Sequence, residues 1–153
     1  KLAERALGLW KPLVSDKAML SQVDLEDAKE RSADHSVANL KWTAGIEAWF
    51  DRIRAVAVGC SEDVVELPRA KSVVYRAPDW FLEIIPRAKG FTLRLAVDAD
   101  ELVGVADGVE DSSSWSFILN SAVDGGSIYI VNSETQLPNA EALVKRTFEI
   151  MFG

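Results

Sequence analysis

The chain has 153 residues, 48% hydrophobic and 27% charged, which suits one globular domain with a core of its own. Its net charge of −7 argues against general polyanion binding by the whole surface but leaves room for a local basic patch. A single cysteine, Cys60, excludes an internal disulfide or a multi-thiolate metal site, and a single histidine, His35, excludes a histidine-cluster zinc site.

The first ten residues, KLAERALGLW, place Leu2, Ala6, Leu9 and Trp10 on one helical face, and Pro12 stops the pattern. Residues 11–36 are polar, with a short helical possibility at 24–31 and His35 as an exposed side chain. Residues 1–36 are therefore expected to be the last helix of a preceding domain and a linker, and residues 37–153 a single α+β domain.

Ser36 is placed to cap a helix over residues 37–58. Trp42, Ile46, Trp49, Phe50, Ile53 and Ala57 form its apolar stripe, and Gly59 is expected to end it in the left-handed conformation. Strands are expected at 64–67, 72–76, 80–85 and 91–97, with a turn at Ala77-Pro78-Asp79 and a hairpin loop at 86–90 in which Gly90 takes positive φ. Phe91, Leu93, Leu95 and Val97 share one face of the last of these, and Arg94 lies on the other. Pro86 has no N–H for a ladder and belongs at a strand end or edge.

Asp98 and Glu101 have the spacing of a capping box, which would open a short helix through Val105. Residues 115–119 read as a short strand or apolar turn, Asp124-Gly125-Gly126 as a tight turn, and 127–131 as a strand. Pro138 starts a closing helix whose buried face is Ala140, Leu143, Val144, Thr147, Phe148 and Met151. Together these elements imply an antiparallel meander sheet of four to six strands. The long N-terminal and C-terminal helices then pack on one of its faces.

Motifs for chemistry are sparse. The chain has no phosphate-cradling GxxxxGK[ST] and no GxGxxG after a strand, and no expected strand carries the carboxylate-x-Lys triplet of restriction-type nucleases. The acids Asp98, Asp100, Glu101, Asp107, Glu110 and Asp111 lack the regular spacing of a calcium loop and read as caps, turns and a solvated edge. Cys60, just past a helix C-terminus, reads as an inert apolar group. No catalytic residue, metal site or cofactor is assigned. No apolar run reaches the roughly 18 residues of a membrane helix, and no signal peptide opens the chain, so the expected location is cytoplasmic.

The distinctive feature is a basic ribbon. Arg69, Lys71, Arg76, Arg87, Lys89 and Arg94 stand against only Asp79 and Glu83 over the same stretch. Outward-facing, these six would contact phosphates without reading sequence. The alternative is a protein–protein or oligomerisation surface anchored by Trp80 or Trp115.

Two segments carry a family resemblance. Pro68-Arg69-Ala70-Lys71-Ser72 with Tyr75, then Trp80-Phe81, Leu93 and Leu95, and Asp111-Ser112-Ser113 with a terminal helix, resemble an uncharacterised domain at the C-terminal end of bacterial DNA-processing and "predicted transport" proteins. That family's loop carries a histidine; the loop here, SSSWSFILNSAVDGG, does not. LAERALGLWKPL resembles the closing helix of the HNH nuclease domain in GmrSD-like proteins, which join a ParB/sulfiredoxin-like NTPase, an HNH nuclease and a variable C-terminal domain. The resemblances imply a non-catalytic C-terminal module of a bacterial restriction nuclease acting against phage DNA. Its expected partners are DNA, the other domains of the parent chain, or a second copy.

Overall fold

The computed structural model describes residues 36–153 except residue 116, within a unit running from His35 to Gly153. The expected helices at 1–10 and 24–31, and His35 itself, lie outside the described residues.

Alternating apolar positions build the sheet expected from the sequence. Strands β1 (Val65–Pro68), β2 (Val73–Arg76), β3 (Trp80–Arg87) and β4 (Gly90–Leu95) pair in succession as an antiparallel meander. Next to β4 lies β6 (Ser127–Val131), and the two-residue β5 (Glu110–Asp111) pairs on its far side. The order of this six-stranded sheet is β1-β2-β3-β4-β6-β5.

One face presents Val73, Tyr75, Leu82, Ile84, Phe91, Leu93, Leu95, Tyr129 and Val131, and both long helices pack on it. Helix α1 (Ile46–Gly59) contributes Ile46, Phe50, Ile53 and Ala57, and helix α2 (Leu137–Phe152) contributes Leu137, Ala140, Leu143 and Val144. Burying a side chain of this size stabilises the fold by about 1.5–3 kcal/mol, so the layer of helices on sheet dominates the folding energy. Phe148 and Phe152 meet Phe81 edge-on at 5.2 and 6.1 Å, tying the end of α2 to β3.

Several local expectations are corrected. The first helix does not start after Ser36: Val37–Asn39 is a 3-10 turn, Ser36 makes no side-chain cap, and α1 begins at Ile46. Gly45 at φ 86° precedes it, a left-handed conformation that no helix can pass through. Trp42 therefore leaves the helical stripe and folds back onto Phe50, stacked at 4.2 Å, and edge-on to Phe91 at 6.3 Å. Gly59 is an ordinary last helical residue, and Cys60 closes the helix by donating its N–H to the Ala57 carbonyl.

The 86–90 loop is shorter than expected, because Arg87 pairs directly with Gly90 and only Ala88 and Lys89 connect β3 to β4. Gly90 does not adopt positive φ. It is glycine because any Cβ there would run into the backbone carbonyl of Val131 on β6. Pro86 is the penultimate residue of β3, at the strand end where its missing N–H is tolerated. Asp98 and Glu101 form no capping box: a 3-10 turn spans Ala99–Leu102, and Asp111 Oδ1 accepts the Ala99 N–H at 2.8 Å.

Beyond β5, the open edge of β6 is partly closed by one side chain. Gln136 donates Nε2–H to the Ile130 carbonyl at 2.9 Å and accepts the Asn132 N–H at 2.8 Å, replacing part of a missing strand.

Candidate interaction surface

The second sheet face carries a polar centre. Val74, Glu83, Arg94 and Ile128 stand side by side across β2, β3, β4 and β6, so Glu83 and Arg94 are direct cross-strand partners. Both are buried, at 0% and 2% exposure. The segment after residue 116 crosses over them and supplies most of their hydrogen bonds. Glu83 Oε1 accepts from Ser121 Oγ at 2.6 Å, and Oε2 accepts from Ser72 Oγ and the Ala122 N–H, each at 2.7 Å. Arg94 donates to Ser121 Oγ at 2.8 Å and to the carbonyls of Val123 and Gly125. A small apolar cluster of Leu67, Val74 and Val123, with Trp80 and Ala122 against it, seals one side.

Burial pushes the Glu83 carboxyl above the usual carboxylate range, opposed by its hydrogen bonds to Ser121, Ser72 and Ala122 and by the charge of Arg94. Burial pulls the Arg94 guanidinium down, opposed by Glu83 and Asp124. Both carboxylate oxygens are occupied, and the pair serves to clamp the covering segment to the sheet.

This geometry redraws the basic ribbon. Arg94 does not face solvent, and neither does Arg69, at 4% exposure. Arg76 is half-buried and bonds the Pro78 carbonyl, steadying the 77–79 turn. Arg87 is also half-buried; it donates to Thr92 Oγ1 at 3.2 Å and to the Leu119 carbonyl at 2.8 Å. Arg87 and Arg94 are committed to the fold because the long connection after residue 116 covers their part of the sheet and supplies acceptors, whereas Arg76 is held within its own turn. Lys71 and Lys89 alone of the six are exposed.

A third cation, Lys41, joins them. Thr43 Oγ1 donates to the Ala88 carbonyl at 2.9 Å, drawing the segment before α1 beside the β3–β4 hairpin that carries Lys89. Lys41 and Lys71 line one cleft of about 210 Å³ with Asn39, Leu40, Pro86 and Asn120. Among the described residues, none of the three lysines is bonded to a carboxylate. Helical periodicity alone puts Lys41 on the outer face of a helix. The sequence signal against that is Gly45, a residue that breaks a helix from within.

The remaining candidates separate clearly. Trp80 is half-buried packing in the small cluster, whereas Trp115 is 41% exposed. It lines a largely apolar cleft of about 390 Å³ with Phe117, Leu119 and Ile130, and Phe117 is 68% exposed. The acids of residues 98–111 are solvated, except that Asp111 holds the Ala99 N–H. No group of three metal-ligating side chains occurs among the described residues. Burial raises the Cys60 thiol pKa, and the thiol donates to the Val56 carbonyl, an arrangement that disfavours a thiolate. No helix among the described residues is long and apolar enough to cross a membrane. Comparison with protein-family models, curated proteins and solved structures finds no match.

Proposed function

We propose that this chain is a non-catalytic recruiting module of a cytoplasmic bacterial defence nuclease, holding DNA for chemistry carried elsewhere in the parent protein. One observation carries the nucleic-acid reading. Lys41, Lys71 and Lys89 converge at the hairpin end of the sheet, exposed and, among the described residues, bonded to no carboxylate, within a chain of net charge −7. Ammonium groups of this kind meet phosphates as point charges and release counterions, which gives affinity without sequence preference. The defence setting rests on the two sequence resemblances.

Retention of DNA at low salt, measured over a salt series, tests the reading. The slope of log affinity against log salt should lessen by about 0.9 for each phosphate that Lys71→Glu or Lys89→Glu leaves without its counter-charge. Failure of the unaltered chain to retain any DNA or RNA at low salt would overturn it. A second reading, a protein-binding or self-associating module, is favoured by the exposed apolar cleft around Trp115 and Phe117.

A further inference from the structure

We infer that the cleft between Lys41 and Lys71 is a seat for a single phosphomonoester, such as the phosphorylated end of a nucleic-acid strand. This rests on the recruiting role proposed above and narrows it from the phosphate backbone in general to a terminus.

The lining chemistry selects the ligand. Lys41 and Lys71 bring only donors, Asn39 and Asn120 bring carboxamides able to donate, and no carboxylate among the described residues lines the cleft. An anion rich in acceptors is the complement of such a wall. Leu40, Ala70 and Pro86 supply the rest of the lining, so the polar side chains a ligand meets there are the two ammoniums and the two carboxamides. Asn120 is the one non-glycine residue with positive φ, 67°, among the described residues. A conformation that costs free energy is retained where surrounding structure holds it, and here it sets a side chain at the cleft.

Size and charge then favour a monoester over a diester. A cleft of about 210 Å³ has room for a group of phosphoryl size. A backbone diester is flanked by sugars on both sides and must lie across a surface, whereas an end can enter. A monoester also brings about −1.5 to −2 of charge and three strong acceptors, which two ammoniums and two carboxamides can satisfy together.

The test uses the full chain and oligonucleotides of one sequence carrying either a 5′-phosphate or a 5′-hydroxyl, with inorganic phosphate as a separate probe. The phosphorylated end should bind about tenfold tighter, the scale of a charge-assisted hydrogen bond. Lys41→Ala and Lys71→Ala should erase that preference, while Lys89→Ala, outside the cleft, lowers affinity for both ends and keeps it. Equal, salt-sensitive binding of both ends would overturn the seat and leave the recruiting role standing. Binding of inorganic phosphate that Lys41→Ala abolishes, with no retention of either oligonucleotide, would support the seat for a free phosphate source and overturn the recruiting role.

Discussion

Glu83 shows how little a residue's charge says about its work. In the sequence it is one of two acids diluting a basic ribbon; in the fold it is fully buried, with three donors on its two oxygens. Glu83 and Arg94 are buried cross-strand neighbours that share Ser121 Oγ, so Arg94→Met leaves the Glu83 carboxyl without its opposing buried charge and should cost about 1–3 kcal/mol in a denaturant titration, more than the double replacement Glu83→Leu with Arg94→Met. The Glu83 pKa is raised in the fold, chiefly by burial, so its contribution to stability is fully present below the ordinary carboxylate pKa and is lost as pH rises through the raised value. The stability of the natural chain minus that of Glu83→Gln should therefore fall as pH rises from the ordinary carboxylate range toward neutrality. A difference that rises instead would mean that the Arg94 and serine contacts outweigh burial. The sequence does place Arg94 opposite Phe91, Leu93 and Leu95, since strand period alone decides that. The cover over it comes from residues 121–125, distant in the chain, and no local pattern announces a lid.

At the scale of elements, two glycines at superficially similar positions behave oppositely. Gly90 sits where β4 and β6 approach, and a methyl there meets the Val131 carbonyl; Gly59 ends α1 with open space around it and ordinary φ. Gly90→Ala should lower stability by roughly 1–3 kcal/mol, the usual penalty of overpacking, and loosen the β4–β6 pair. Gly59→Ala should raise it by about 0.4–1 kcal/mol by restricting the unfolded chain. Chemical denaturation of both variants reads the two signs, and a stable Gly90→Ala would show that β6 can shift away at little cost. Element types and the meander are legible in the sequence because alternation and helical periodicity are local. The start of α1 is not, because Trp42 keeps the helical spacing while its ring stacks on Phe50 from a separate segment. The spacing is helical and the backbone is not.

Across the whole molecule, the helices bury one sheet face, the clamped segment covers the middle of the other, and what remains exposed is sorted by chemistry. Lys41, Lys71 and Lys89 gather at the hairpin end, six acids lie along residues 98–111, and apolar side chains cluster around Trp115. If that apolar cleft is a self-associating face, sedimentation should show concentration-dependent association that Phe117→Ser abolishes and Lys71→Glu leaves intact. A monomer at every concentration would direct the cleft to a different protein or to none. The α+β class and the apolar face beneath the helices are legible in residue spacing within each element, and the antiparallel order of the first four strands in the short turns that join them. Which cations of the ribbon are available depends on the tertiary fold. Arg69 and Arg94 are buried, and Arg76 and Arg87 are held against backbone carbonyls. Lys71 and Lys89 stay in water, where Lys41 comes to join them. For Arg87 and Arg94 the cover comes from a segment distant in the chain, and a guanidinium with five donors can find acceptors under such a cover far more readily than a strongly hydrated ammonium.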